Sequence, residues 1–337
     1  MPSYGSEILR QLLRSPHSFP ADDEAILPLS SIFVKKGRPS LEIKGREVRI
    51  RGKLVRIGFI DGEGYQFLED PEAALDHLRN SGASIDIFTF IQRLSETSPK
   101  YSHPMEWDNV AVLPVSTFDN WMAQQINFKV RNKVRKATKN WVVVREIPFD
   151  DALIQGISAI YNESPVRQGR TFPHYGKEFE SLRKMKATFL ERSIFIGAFL
   201  NDNLIGFIKL VANEDWSQAG LMHILSMIQH RDKAPTNALI AQAVRSCADR
   251  GIPHLWYANL SYGKKQRDSL AEFKLQNGFQ KVELPRYYVP LTLKGRIALR
   301  LGLHHEIVEQ VPEPVAATFR KIRSFLYAKR FSGLESA

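Results

Sequence analysis

The sequence predicts an α/β fold in three layers, and three observations predict it. From residue 141, short apolar runs alternate with amphipathic stretches in the order β-α-α-β-β-β-α-β-α-β, the pattern of helices laid on both faces of a sheet. PTNALIAQAVRSCADRG, 235–251, sets apolar residues at 239, 240, 243, 244 and 247, one face of a helix that Gly251 stops. SIFIGAFLNDNLIGFIKLVANE, 193–214, is two apolar runs about Asn201-Asp202-Asn203, residues that accept the left-handed backbone of a hairpin turn.

The elements follow in order. REVRIRGKLVRIGFID, 46–61, reads as two strands around a Gly52-Lys53 turn. DPEAALDHLRNSG, 70–82, reads as a helix with Asp70 as its N-cap, Pro71 in its first turn and Gly82 at its end. ASIDIFTFIQRL starts as a strand, and NVAVLPV, 109–115, is a short buried one. FDNWMAQQINFKVRNKVRKATKN, 118–140, predicts one long helix joining two halves. WVVVREI is a strand; FDDALIQGISAIYNE, 149–163, is an amphipathic helix capped by Asp150 or Asp151. A loop, NESPVRQGRTFPHYGK, leads to a helix over 177–192. After the hairpin come a buried strand at 219–228, the helix at 235–251 and the strand HLWYANL. SLAEFKLQNG is a short helix, and FQKVELPRYYVPLTL a terminal strand or hairpin.

A chain of 337 residues suggests two domains at about 150 residues each. The net charge of +11 favours anionic partners: nucleic acid, phosphate-bearing cofactors or an acidic membrane surface. It is concentrated. Residues 129–139 hold six Lys/Arg and no acid, and residues 316–331 hold five and no acid. The lone cysteine, Cys247, excludes an internal disulfide and a cysteine-based zinc site, and fits a reducing compartment. No apolar run reaches membrane-spanning length and the N-terminus lacks a signal-peptide core, so the expected address is the cytoplasm. The apolar residues of 315–331 (Phe319, Phe325, Leu326, Tyr327 and Phe331 among the cations) suit peripheral contact with the inner membrane face.

Several activities lose their motif. DGEGY, 61–65, starts like a dinucleotide-binding turn but carries Phe67 where the third glycine belongs. Phosphate-loop, nucleophile-elbow and zincin patterns are missing. His304-His305-Glu306 lacks a third ligand at a recognisable spacing, so no metal is expected.

Three stretches carry a family resemblance. NFKVRNKVRKATKNWVVVREI resembles the basic helix entering the second GNAT-like domain of Fem-type aminoacyltransferases, members of the GNAT acyltransferase superfamily. APTNALIAQAVRSCADRGIPHLWYANL resembles the central helix and following strand, and SLAEFKLQNGF the Phe-Lys segment. Together they cover about residues 127–292. The resemblance implies tandem GNAT-like domains: a degenerate copy at 1–117, a linking helix at 118–140, a complete acyltransferase domain at 141–293, and a basic tail at 294–337. It implies transfer of an aminoacyl or acyl group to an amine, on an anionic acceptor that is envelope- or nucleotide-linked. The donor would be aminoacyl-tRNA or acyl-CoA, without a cofactor or metal. HRDKAPTNA, 230–238, stands where GNAT enzymes carry the glycine-rich pyrophosphate loop and has no glycine. Arg231, Lys233 and Asn237 would then serve the donor, at the start of a helix.

The resemblance places the catalytic Phe-Lys pair on Phe273 and Lys274, whose ammonium would steady negative charge on the carbonyl or leaving oxygen. Glu272 is the carboxylate nearest in sequence for the amine proton. The 162–177 loop would face the acceptor: Arg167, Arg170 and Lys177 to clamp an anion, with Tyr161, His174 and Tyr175 to orient it. Tyr262 and Arg267 flank the strand end where a GNAT sheet splays. Lys129, Lys133 and Lys136 share one helical face and Arg135 another, suiting a phosphate backbone. Cys247 reads as core. Two other readings stay open, an acyl-CoA-dependent N-acetyltransferase and a non-catalytic GNAT-like module binding nucleic acid or membrane.

Overall fold

The computed structural model describes residues 41–167, 170–261 and 269–305, Arg170 by its backbone alone. β1 (Leu41–Ile43), β2 (Arg46–Arg51) and β3 (Ile57–Ile60) form a meander. α1 (Pro71–Asn80) follows, with the Asp70 carboxylate accepting from the Ala73 amide at its start and Gly82 at φ +66° beyond its end. β4 (Ile87–Ile91) and β5 (Met105–Pro114) complete the first half.

The expected single helix over 118–140 is two pieces. Phe118–Asn120 and the π-helical turn Trp121–Gln125 end at an extended Ile126; α2 (Phe128–Lys139) then starts afresh. Asn127 causes the break by capping the Val130 amide. Arg131 folds back onto the carbonyls of Met122, Ala123 and Ile126, satisfying the end of the first piece. α2 is no free hinge, because Val130 and Ala137 are buried in the main core.

β6 (Val143–Ile147) and α3 (Asp151–Asn162, capped by Asp150) come next. The 162–177 loop contains a two-rung hairpin, β7 (Val166–Arg167) with β8 (Arg170–Thr171). α4 (Phe179–Lys186) is shorter than the predicted 177–192, and Phe189 at φ +55° turns the chain into β9 (Ser193–Leu200). The turn to β10 (Asn203–Ala212) has Asn201 and Asp202 at φ +48° and +62°, as its composition predicts. β11 (Ala219–Ser226), α5 (Pro235–Asp249), β12 (His254–Asn259), α6 (Ser269–Gln276), β13 (Gln280–Pro290) and α7 (Leu293–Arg300) finish the described chain.

Eleven of these strands join one sheet, in the order β1-β2-β3-β4-β13-β5-β12-β11-β10-β9-β6. Alternation along the strands makes the layers. Ile194, Ile196, Ile208 and Leu210 face α2 and α5, while Phe195, Phe207 and Leu225 face α3 and α4. The sheet runs without interruption through both predicted halves: β12 pairs with β5, and β13 lies between β4 and β5. Residue 117 therefore parts no two sheets.

Candidate active site

A sheet opens where neighbouring strands lose their pairing. β11 and β12 run parallel and pair only at Ala219–Leu255 and Gly220–Trp256. Beyond that, each strand bulges. The β10–β11 register shifts between Lys209 and Leu210, which lie opposite His223 and Leu221. The β12–β5 register shifts between Trp256 and Asn259, where Ala258 has φ +48°. Bulges bend strands away from their partners and leave amides unpaired. β11 and β12 therefore part beyond Gly220 and Trp256, the backbone outline of a cleft, with the 3₁₀ turn Ile228–Lys233 and the start of α5 at the β11 end.

Lys274 stands at the β12 side of that cleft. It is fully buried on α6; its Nζ donates to the Asn259 carbonyl at 2.7 Å and lies 4.3 Å from the Tyr257 ring centre. A buried ammonium held by a strand-end carbonyl and an aromatic face is fixed in place. Phe273, beside it, packs in the main core. Glu272 is exposed and accepts from Gln276, on the other side of the helix, so it does not take the expected proton-accepting position.

The three residues expected to serve a donor have mixed surroundings. Arg231 is half-buried in the 3₁₀ turn, and Lys233 pairs with its neighbour Asp232 at 3.2 Å. Asn237 is buried and donates to Asn277 Oδ1 at 3.2 Å, while Asn277 donates to the Phe273 carbonyl and its own carbonyl accepts from the Trp121 indole. The expected donor contact of Asn237 is therefore corrected: its amide rivets α5 to α6, because a buried amide without a partner is costly.

The 162–177 loop needs the larger correction. Arg167 is buried and points inward, donating to the carbonyls of Ile160 (2.7 Å) and Ser226 (3.0 Å) and to Glu163 (3.0 Å). Glu163 also accepts from the Ile228 and Gln229 amides, at 2.7 and 2.9 Å. This pair joins the end of α3, the end of β11 and the 3₁₀ turn. Arg167 thus builds the cleft rather than clamping a ligand. Tyr161 is likewise core, stacked on His174, edge-to-face with Phe172 and accepting from Lys186 at 2.5 Å. Tyr175 is exposed and Lys177 half-buried, while Tyr262, Arg267, the Arg170 side chain and the 315–331 segment lie outside the described residues. On α2, Lys129, Arg135 and Lys136 are exposed and Lys133 half-buried. Burial pushes the Cys247 thiol up to about 12, as suits a core residue.

Two buried lysines escape a sequence reading. Lys186 lies over the Tyr161 and Phe207 rings. Lys209 donates to the carbonyls of Lys186 (2.9 Å) and Thr188 and to Thr188 Oγ1 (3.1 Å). It sits opposite His223, beside the β11 bulge. Burial first, then the charge of Lys186, lower the Lys209 pKa to about 7. An amine of that pKa exchanges a proton near neutrality. The unfolded chain would hold that proton up to its ordinary pKa of about 10.4. The destabilisation is therefore complete below pH 7 and fades as pH rises towards 10. Lys209→Met is expected to raise stability at pH 7 by about 1–3 kcal/mol, the roughly 4 kcal/mol of the pKa shift less the bonds lost by two carbonyls. Urea unfolding at pH 7 and 9.5 checks it: the gain should shrink at the higher pH, and an equal gain at both would exclude this origin.

The fold is shared with solved structures. FemX aligns at TM-score 0.53 over 78% of this chain and 89% of its own, with 10% identity. A C-terminal DUF2156 domain from Agrobacterium fabrum, assigned to a lysylphosphatidylglycerol synthetase, aligns at 0.51 over 75% and 84%, also at 10% identity. L-PGS from Bacillus licheniformis aligns at 0.50 over 76% and 86%, again at 10%. No family model matches the sequence, and no curated protein matches it either.

Proposed function

We infer that the Fem-like, GNAT-type fold anticipated from three short stretches frames the function of this chain, whose fold aligns with FemX and with the DUF2156 domain. We propose that the chain is an N-acyltransferase that moves an aminoacyl or acyl group from an ester to an amine on an anionic acceptor, envelope- or nucleotide-linked. The observation that carries the reading is Lys274, a buried ammonium fixed at the splayed end of β12. The amine nitrogen would bond to the acyl carbon as the ester C–O bond breaks, and the amine proton would end on the leaving hydroxyl. Lys274, rather than a metal ion, would steady the charge that builds on oxygen. The exposed cations of α2 would track the phosphates of a tRNA donor.

Acyl-CoA is the second reading, favoured by Arg231 in the turn that opens α5, where backbone amides attract phosphate. Calorimetric titration with acetyl-CoA and with CoA separates the two. Saturable micromolar binding that Arg231→Ala removes would make CoA the donor carrier. Absence of heat at millimolar ligand, with turnover of aminoacyl-tRNA, would support the ester donor. If no acyl donor turns over while nucleic acid binds with a steep salt dependence, the chain is a binding module instead.

No helix among the described residues is long and apolar enough to cross a membrane. Peripheral contact belongs to the proposal and has a structural support. α7 and its surroundings expose Leu54, Leu293, Ile297 and Leu301 beside Lys53, Lys294, Arg296 and Arg300, a surface suited to anionic lipid. Sedimentation with phosphatidylglycerol vesicles tests it, and equal binding to neutral vesicles would exclude it.

A further inference from the structure

The sequence singles out His304-His305 and finds no third ligand nearby. The fold supplies one from 198 residues away. Glu106, near the start of β5, reaches the turn after α7, and its Oε1 lies 2.9 Å from His304 Nε2 and 3.2 Å from His305 Nε2. Gly302 at φ +68° tightens that turn, and the two imidazole centres come within 4.0 Å. We propose that Glu106, His304 and His305 form a binding site for one divalent transition-metal ion, zinc being the reference case.

Three features argue for it. The ligating atoms all lie within 4.8 Å of one another, and the two nitrogen–oxygen separations are close to the roughly 3.3 Å between neighbouring ligands of a tetrahedral ion with bonds of about 2.0–2.1 Å. The carboxylate therefore needs to shift by only a few tenths of an ångström against each imidazole to admit an ion. The rings are also pre-aimed. His304 is buried, with the Tyr288 ring against it at 4.6 Å, and its Nδ1 has no hydrogen-bond partner among the described residues. Finally, the donor set is selective. Two imidazoles and one carboxylate suit zinc, nickel or copper, whereas magnesium and calcium require oxygen ligands in larger number. The Glu106 and His305 side chains are part-exposed, at 42% and 37%, which leaves water access to a fourth coordination position.

The site lies apart from the cleft. Glu106 pairs with Arg286 of β13, whereas β5 meets β12 at Val110–Pro114. The ion would fasten the turn after α7 to the middle of the sheet, a structural rather than a chemical role. This inference is independent of the proposed acyl transfer.

The experiment is metal titration of the full, tag-free chain after dialysis against chelator, with bound zinc measured by atomic emission and Co²⁺ followed by its visible d–d absorption. One zinc per chain at micromolar free metal, tetrahedral Co²⁺ absorption and a higher melting temperature are expected, with no effect of Mg²⁺. His305→Ala and Glu106→Gln, both at part-exposed positions, should each weaken binding at least tenfold and abolish the melting shift while leaving the metal-free melting temperature and turnover unchanged. Absence of stoichiometric zinc, or the same binding in both variants, overturns the site and leaves the three side chains as a hydrogen-bonded cluster.

Discussion

Lys274→Met is expected to lower turnover by about a hundred- to a thousandfold while leaving the chain folded, the scale found when one oxyanion-stabilising donor is removed. Methionine keeps most of the buried volume of the lysine stem, so the α6–β12 contact should survive. What disappears is the ammonium that donates to Asn259 and faces Tyr257. The Asn259 carbonyl loses one bond, worth about 1 kcal/mol, which should appear as a few degrees of melting temperature. Single-turnover transfer from a preloaded donor is the measurement, with circular dichroism to confirm folding. A folded variant with near-normal turnover would remove Lys274 from the mechanism.

Arg286→Met should cost up to about 3–5 kcal/mol of stability, the range for removing one partner of a buried ion pair, the side chains here being mostly rather than wholly buried. Arg286 crosses between strands and loop: its Nε donates to Asp108 at 2.7 Å, and its two terminal nitrogens donate to Glu63 at 3.0 and 2.7 Å. Its two carboxylate partners hold its pKa well above the usual value despite the burial. Without it, Glu63 and Asp108 would be left facing each other across a site that excludes most water. Urea unfolding gives the loss directly. Adding Glu63→Gln and Asp108→Asn to the same chain should recover a large part of it, because the damage comes from unpaired charge. No recovery would place the cost in packing instead.

Much of the fold is legible in the sequence, because its signals are local. Asp70 and Asp150 announce their helices, Asn201-Asp202 its hairpin, and the spacing of apolar residues in 235–251 its buried face. The Phe273-Lys274 pair was legible only through resemblance, yet the fold brings Lys274 to the splayed strand. Other features depend on contacts that no local pattern encodes. Lys186 and Lys209 look like any surface lysine until tertiary packing buries them. Glu106 has no relation in sequence to His304. Arg167 was misjudged because long cations in a loop suggest a ligand; its spacing of four from Glu163 was the readable sign of an internal pair. The break in 118–140 also had a sign, an asparagine just before the basic run.

The position of β13 has a consequence for how the molecule comes to exist. This strand is made near the end of the described chain, yet it occupies the middle of the sheet, with β4 on one side and β5 on the other. On the ribosome, β4 and β5 emerge early and have no partner between them until residues 280–290 appear. Two adjacent edges, rich in Ile, Phe and Val, must wait while residues 115–279 are made, which at about 5–20 residues per second is tens of seconds at the slow end. Unpaired edges of that composition associate with other chains. A product truncated before β13 is therefore expected to aggregate rather than fold as a half.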